Sequence, residues 1–210
     1  MSEFIKNANW RYATKKFDAS KKVSSEDFTT LKEAIRLSAS SYGLQPYKIL
    51  IIENPEIRAQ LQPVSWGQSQ IVDASHLLVF ANSVNLGENE IDEFIENVAT
   101  TRNLPIDTLQ GYADFMKSKV VSLPEEARNT WTSKQAYIAL GNLLNVAADL
   151  KIDVTPMEGF ESKKYNELLG LEKLGLNASI VAAIGYRHDD DATQHYTKVR
   201  KSNENLFITI

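Results

Sequence analysis

Residues 131–160 read WTSKQAYIALGNLLNVAADLKIDVTPMEGF, and this stretch decides the fold. Between residues 136 and 150, apolar side chains lie on nearly every side of a helix, which is typical of a helix buried in a core. Polar residues interrupt the run, so it is not expected to span a membrane. The β-like residues 152–154 follow, and Pro156 and Gly159 then predict a rigid turn with exposed backbone amides. We interpret the stretch as a central helix that leads into a fixed loop at a site.

The composition is that of an ordinary globular protein. The 210 residues are 43% hydrophobic and 24% charged, which predicts a single domain over residues 1–210. The net charge of −4 gives no general attraction to nucleic acid or membranes. The absence of cysteine excludes disulfides, thiolate metal sites and a cysteine nucleophile. No secretory signal is visible at the N-terminus, so we expect a cytoplasmic protein.

Hydrophobic periodicity predicts the remaining elements along the chain. We expect helices at residues 2–10, 24–37, 54–62 and 161–169, two helices within 88–123, and another helix start at 122–126. We expect strands at residues 47–52, 75–82 and 178–186, and a β-prone tail at 205–210. Strands and helices do not alternate strictly. The pattern therefore predicts an α+β fold with a mixed central β-sheet flanked by helices.

The sequence lacks the common catalytic motifs. It contains no Gly-rich nucleotide loop, no G-x-S-x-G elbow and no H-E-x-x-H pair. The acidic run HDDD at 188–191, with His195 nearby, is better interpreted as a solvated turn than as a metal site, so no metal is expected. A chain without an obvious acid, base or nucleophile is typical of an enzyme whose chemistry is supplied by a cofactor.

Several segments together resemble the FMN-dependent nitroreductase family, in its small homodimeric NAD(P)H-linked branch. The main ones are KQAYIALGNLL at 134–144 and PMEGF at 156–160; RYATKKF at 11–17, SSYGLQP at 40–46 and GQSQ at 67–70 also match. The resemblance covers nearly the whole chain. It implies a nitroreductase-like fold whose C-terminal strand is exchanged between the subunits of a homodimer.

The resemblance implies that cationic side chains bind FMN. Arg11, with Lys198 and Arg200, is expected at the phosphate, for which the planar guanidinium fork is well suited. Lys15 is expected beside N1 and O2 of the flavin ring, where reduction adds negative charge. One charge about 4 Å away, at an effective dielectric near 20, is worth on the order of 4 kcal/mol before desolvation. Lys15→Met is therefore predicted to lower the FMN midpoint potential.

The resemblance also assigns backbone and polar contacts. The amides of Glu158 and Gly159 are expected near N5, so the expected catalytic residues are Lys15, Glu158 and Gly159. Gln70 stands where several relatives carry a lysine at the pyrimidine edge of the flavin. The loop with Ser40, Ser41 and Gln45 is expected to reach the flavin of the other subunit. Further expected cofactor contacts are Tyr12, Ala13, Gln135, Pro156 and Met157.

The function implied by the resemblance is reduction of nitroaromatics, quinones or similar flat acceptors by NADH or NADPH, through ping-pong hydride transfer. Tyr42, Gly43 and Gln70 depart from the commoner residues of the family. Two alternatives therefore stay open: a flavin or enone reductase of the same fold, and a flavin-binding protein without turnover. Tyr112 or Phe115 is expected over the site, although plain helix core is the more frequent explanation of such residues.

Overall fold

A computed structural model describes all 210 residues of the chain. Nine helices and four strands follow one another along the sequence. They are α1 (Glu3–Trp10), α2 (Ser25–Arg36), β1 (Tyr47–Ile52), α3 (Pro55–Leu61), α4 (Gln70–Asp73), β2 (His76–Ser83), α5 (Glu88–Arg102), α6 (Gln110–Val120), α7 (Glu125–Asp149), β3 (Asp153–Met157), α8 (Ser162–Leu169), β4 (Leu176–Gly185) and α9 (Asn203–Leu206). The predicted α+β class is confirmed. No helix of the chain combines the length and the apolarity needed to cross a membrane.

Helix boundaries follow the local sequence signals. Ser24 caps α2 by accepting a hydrogen bond from the N–H of Asp27 (3.0 Å), and Asn54 caps α3 in front of Pro55. Gly170 ends α8 in a left-handed conformation with φ of +65°, where a side chain would be strained. These ends lie within one or two residues of their predicted positions because capping chemistry is local.

The four strands form one sheet in the order β1-β2-β4-β3, and all three pairs are antiparallel. The expected mixed sheet is therefore wrong for the strands that pair within this chain. Residues 77–81 of β2 are all buried, and a continuous apolar run does not reveal strand direction. A parallel pair can arise only if a further strand joins this sheet.

The sheet separates two hydrophobic cores. Leu78 and Phe80 of β2 face one core, which is covered by α2 and α7. Leu77 and Val79 face the other core, which includes Leu61 of α3 and Tyr165 of α8. Each fully buried residue of this size contributes roughly 1.5–3 kcal/mol to stability. The alternation of β2 side chains thus fixes which helices lie on each face.

The central helix α7 is longer and less completely buried than the sequence predicts. It begins after Pro124, so the predicted start at 122–126 and the central helix are one helix of 25 residues. Ala136 and Ala139 are fully buried against the sheet. Tyr137 and Ile138 are 38% and 47% exposed, so the expectation of a helix buried on all sides is wrong for the single chain.

Strand β3 contains two residues that were expected in a turn. Pro156 pairs with Ala182 and Met157 pairs with Val181, so the turn starts at Glu158. β3 is an edge strand with an unpaired side, which is where a sheet tolerates proline. Proline was read as a turn signal because its restricted φ suits both structures.

The two ends of the chain also differ from expectation. Helix α1 forms as predicted, but Phe4 and Ile5 are exposed, and the buried residue is Asn7, which donates to Asp149 of α7 (2.8 Å). In the tail, the helical turn α9 replaces the start of the predicted strand, and residues 207–210 are exposed and paired with no strand. Exchange of this tail between subunits stays a prediction.

Candidate functional site

Three cationic side chains meet near the end of α1. The ammonium group of Lys198 donates to the carbonyl oxygens of Ala8 (2.6 Å) and Arg11, which ties the C-terminal segment to the helix. Burial, and then the charge of Arg200, lowers the pKa of Arg11. Burial, and then the charges of Arg11 and Arg200, lowers the pKa of Lys198. None of the three forms an ion pair with a carboxylate in the chain, so their charges repel one another.

We call residues 11–17 the cationic segment. Its backbone is fixed, because the N–H of Lys15 donates to Asp191 (2.8 Å) and the carbonyl of Thr14 accepts from the hydroxyl of Thr155 (2.6 Å). The side chain of Lys15 is exposed and pairs with no carboxylate. The contact with Thr155 brings Lys15 beside strand β3, which leads directly into the turn at Glu158.

Tyr12 and Ala13 were both predicted to contact the cofactor, and the structure limits what each can offer. The hydroxyl of Tyr12 donates to Asp191 (2.9 Å), and the guanidinium of Arg187 lies 4.5 Å from the centre of its ring. Burial, followed by the hydrogen bond to Asp191, raises the pKa of Tyr12. The hydroxyl of Tyr12 is therefore used within the chain. Ala13 is half-buried, and only its backbone can offer a polar contact.

The turn after β3 brings Gly159 into close contact with the indole of Trp66. A Cβ on Gly159 would lie 2.8 Å from two ring atoms of Trp66, so a side chain there would displace the indole. The amide of Gln68 donates to the carbonyls of Gly159 and Ser65, both at 3.0 Å. Neither Trp66 nor Gln68 was predicted as a site residue, although Gln68 lies in the GQSQ match at 67–70. The sequence signal for this turn was the pair Trp66-Gly67, because glycine favours turns. Both residues adopt positive φ (+56° and +69°).

Glu158 is oriented by a tyrosine of the central helix. The hydroxyl of Tyr137 donates to the carboxylate of Glu158 at 2.6 Å. Burial and this hydrogen bond raise the pKa of Tyr137 to about 12. A cavity of about 430 Å³ opens beside the pair, and Leu140, Pro156 and Ile180 contribute to its largely apolar walls. A larger cavity, about 1130 Å³, is lined mostly by polar residues and by none of the predicted site residues.

We call residues 40–46 the Ser40 loop. Its backbone is held by Gln135, whose amide oxygen accepts from the N–H of Ser41 (2.8 Å) and whose nitrogen donates to the carbonyl of Trp131 (3.1 Å). The amide nitrogen of Gln45 donates to the carbonyl of Arg36 (2.9 Å). The amides of Gln135 and Gln45 are thus used to position the loop. Their predicted contact with a cofactor stays a prediction.

Aromatic rings surround the middle of the Ser40 loop. Tyr42 has φ of +61°, an unusual conformation for a bulky residue, and its ring lies 6.3–6.4 Å from the rings of Tyr112, Phe115 and Trp131. Tyr112 and Phe115 are 39% and 49% exposed, so the interpretation of both as plain helix core is wrong. Their position over the site stays a prediction.

Gln70 lies in the short helix α4 and is 5% exposed. Its amide forms no hydrogen bond within the chain, although its backbone carbonyl accepts from the N–H of Ala74 (3.3 Å). Because no group of the chain occupies this amide, it is free to bond a ligand. The structure thus keeps Gln70 as a candidate, and adds Gln68 as a second amide near the turn.

The predicted site residues form two separate groups within one chain. The first contains the cationic segment, the residues around Lys198 and the turn at Glu158; the second contains the Ser40 loop with Gln135. Asn7, near the first group, contacts α7 at Asp149, whereas Ser41 contacts α7 at Gln135. The turn at Glu158, which belongs to the first group, contacts α7 at Tyr137, only two residues from Gln135. No hydrogen bond or ion pair joins the two groups directly.

Comparison with known proteins identifies the family to which this chain is similar. The sequence profile of the nitroreductase family matches residues 8–186. The chain is 35% identical to the major NAD(P)H-flavin oxidoreductase of Aliivibrio fischeri, over 95% of this chain and 94% of that protein. It is 38% identical to a Bacillus subtilis protein provisionally named an NAD(P)H nitroreductase, over 87% of each.

The fold agrees with a solved structure as well. A provisionally named nitroreductase of Exiguobacterium sibiricum, crystallised in complex with FMN, superposes with a TM-score of 0.84 at 21% identity, over 100% of this chain and 98% of that one. This likeness concerns the fold, while the sequence profile and the two relatives concern descent. Since the profile spans most of the chain and both relatives cover more than four fifths of it, this protein belongs to the nitroreductase family.

Proposed function

We propose that this protein is an FMN-dependent NAD(P)H oxidoreductase that reduces flat acceptors such as nitroaromatics and quinones. The observation that carries the proposal is the cluster of Arg11, Lys198 and Arg200, whose charges have no carboxylate partner. A phosphate that is nearly a dianion would relieve their mutual repulsion, so the donor set fits the phosphate of FMN. The names of the A. fischeri and B. subtilis relatives support NADH or NADPH as the electron donor.

The residues of the chain have separate roles in this proposal. Arg11, Lys198 and Arg200 hold the phosphate. The ammonium group of Lys15, which has no partner in the chain, stabilises negative charge on the flavin ring. The backbone N–H groups of Glu158 and Gly159 face the ring, and Gln70 supplies a hydrogen-bonding amide without a charge.

When bound, FMN supplies the redox chemistry by accepting hydride from NAD(P)H and passing it to the acceptor in a ping-pong cycle. The apolar cavity beside Glu158 favours a flat ring over a hydrated ligand. The protein therefore contributes binding, orientation and charge.

An anaerobic visible spectrum tests the proposal. The purified protein, supplied with FMN, is expected to show flavin bands that NADH or NADPH bleaches and that a nitroaromatic or quinone restores. Failure to bind FMN would reject the proposal. Bound flavin that neither donor reduces would instead favour the alternative of a binding protein without turnover.

We further propose that residues 1–210 form a single FMN-binding domain that works as a cytoplasmic homodimer. No hydrogen bond or ion pair joins the Ser40 loop to the cationic segment of the same chain, and the resemblance implies that this loop reaches the cofactor of the other subunit. Exposed apolar residues at Phe4, Ile138 and Phe207 offer surface for a second copy. Light scattering that gives a monomer would contradict the dimer.

Mixing two defective chains tests whether each site takes residues from both subunits. One chain carries Arg200→Gln and the other carries Gln135→Met. In their heterodimer, one site collects both defects and the other site is intact. Random reassociation is therefore expected to restore roughly a quarter of the sites. No recovery of FMN binding after mixing would place each site within one chain.

A further inference from the structure

The acidic run at 188–191 contains one residue that is not part of a solvated turn. Asp191 is 3% exposed, whereas the side chain of Asp190 is 72% exposed. A buried carboxylate is stable only when its oxygens receive hydrogen bonds. Its burial therefore raises the question of which groups it binds.

Nearly all the donors to Asp191 come from the cationic segment. One carboxylate oxygen accepts from the hydroxyl of Tyr12 (2.9 Å) and from the N–H groups of Lys15 (2.8 Å) and Lys16 (3.2 Å). The other oxygen accepts from the N–H of Thr193 (3.0 Å). Although burial raises the pKa of Asp191, these hydrogen bonds outweigh it and hold the pKa below its usual range. The group is thus ionised at neutral pH.

Asp191 attaches the cationic segment to the part of the chain that follows strand β4. Asp191 follows strand β4 and precedes the C-terminal segment that carries Lys198 and Arg200. Lys198 makes a separate attachment, to the carbonyls of Ala8 and Arg11. The phosphate cluster is therefore held at one point and the backbone of Lys15 at another, so the two can be disturbed independently.

We propose that Asp191 is a positioning residue that fixes the backbone of Lys15 and so places its ammonium group at the flavin ring. The inference rests on the proposed function, because the ring is that of the proposed FMN. Asp191 binds the main chain of Lys15 and leaves its side chain free. The carboxylate thus acts through Lys15 and does not itself need to touch the cofactor.

The sign of a redox shift separates this role from a simple charge effect. If Asp191 acted only as a nearby negative charge, Asp191→Asn would raise the FMN midpoint potential, because the reduced ring gains negative charge. If Asp191 positions Lys15, the same substitution lowers the potential toward that of Lys15→Met. In the double variant Asp191→Asn/Lys15→Met, the potential is expected to equal that of Lys15→Met alone.

Asp190→Asn is the matched control. It removes the same charge one residue earlier, at an exposed position whose partner is Lys16 (3.1 Å). Its midpoint potential is expected to stay unchanged or to rise slightly. An equal fall of the potential in Asp190→Asn and Asp191→Asn would overturn the positioning role, and so would a rise in Asp191→Asn.

Two further measurements apply if Asp191→Asn does not fold. Tyr12→Phe removes one donor and leaves the carboxylate in place, so it is expected to shift the potential in the same direction by a smaller amount. In the wild-type protein without FMN, hydrogen exchange at the amides of Lys15 and Lys16 is expected to be slow. Fast exchange at both would overturn the inference.

These readouts separate the inference from the proposed function. Wild-type protein that binds no FMN defeats the proposed function, and the exchange measurement on the same protein then still reports whether Asp191 holds the cationic segment. Wild-type protein that binds FMN, with Asp191→Asn identical to wild type in potential, defeats the inference and leaves the proposed function standing.

Discussion

The cationic segment and the Ser40 loop are both held to the body of the protein through backbone N–H groups. They differ in whether their side chains are bound within the chain. In the cationic segment, Asp191 binds the main chain at Lys15 while the ammonium group stays free. In the Ser40 loop, Gln135 binds the main chain at Ser41, while the side chains of Gln45 and Tyr42 are used in contacts within the chain.

The difference shows how one chain provides two kinds of recognition. The cationic segment offers charge, because its fixed backbone presents Arg11 and Lys15, neither of which pairs with a carboxylate of the chain. The Ser40 loop offers shape, because its strained backbone at Tyr42 and Gln45 (φ of +61° and +47°) is stabilised by packing and hydrogen bonds. Substitutions in the first region should act mainly on cofactor binding, whereas substitutions in the second should lower stability as well as cofactor binding.

Arg200→Gln is expected to give the largest effect, because Arg200 lies in the charge cluster that Arg11 of the cationic segment forms with Lys198. Arg200 donates only to the carbonyl of Val199 within the chain (2.6 Å), so folding should be unaffected. Loss of a charged hydrogen bond to phosphate costs about 1.5–3 kcal/mol, which is about 10- to 150-fold in the Kd for FMN. Fluorescence titration measures this, with Lys201→Gln as the exposed neighbouring control. Equal weakening in both variants would indicate a diffuse charge effect.

Gly159→Ala tests the turn that accompanies the cationic segment. The new Cβ would lie 2.8 Å from the ring of Trp66, which is 75% exposed, so displacing the indole is expected to cost about 1 kcal/mol, the low end of the range for overpacking. We expect a lower Tm and altered tryptophan fluorescence. Gly111→Ala is the control, since a Cβ there meets nothing within 4 Å and alanine favours the helix. In a Trp66→Ala background, the penalty at residue 159 should largely disappear.

Gln135→Met tests the Ser40 loop. Methionine keeps the length of the side chain but leaves the N–H of Ser41 without its acceptor, at a cost of about 1–3 kcal/mol. Thermal unfolding should show the loss. Gln110→Met, whose amide bonds only the exposed Asp114, should unfold close to wild type. A stable Gln135→Met protein would contradict the view that this loop depends on shape.

Tyr137→Phe is expected to have the smallest effect at neutral pH and a visible one in alkali. The pKa of Tyr137 is raised from 10.0 to about 12 by burial and by its bond to Glu158. Because the folded state has the higher pKa, this stabilisation is complete below pH 10 and is lost as the pH rises toward 12. Unfolding measured across this range should show a steeper loss of stability in wild type than in Tyr137→Phe.

The elements of the fold could be predicted from the sequence because their signals are local. Ser24, Asn54 and Gly170 mark helix ends through contacts with their immediate neighbours. Strand direction was not predictable, since β2 is covered on both faces and reads as a continuous apolar run. Pro156 was misplaced because its tolerance depends on β3 being an edge, which is a property of the whole sheet.

The site was predictable only in part for the same reason. Arg11, Lys15, Lys198 and Arg200 were identified because the resemblance carries them residue by residue. The role of Asp191 was missed, because its three donors on residues 12–16 lie about 175 positions earlier in the sequence. Contacts between residues so far apart in sequence follow from tertiary structure, and no local pattern around the acidic run predicts them.

The proline in β3 has a consequence for how the sheet can be extended. An edge strand with free N–H and C=O groups is a template for another strand, and a proline within it removes one donor from that template. β3 carries Pro156, whereas β1, at the opposite edge, has no proline between Tyr47 and Ile52 and exposes Ile51. Aggregation through β3 is therefore disfavoured, and addition of a strand from any source is directed to β1.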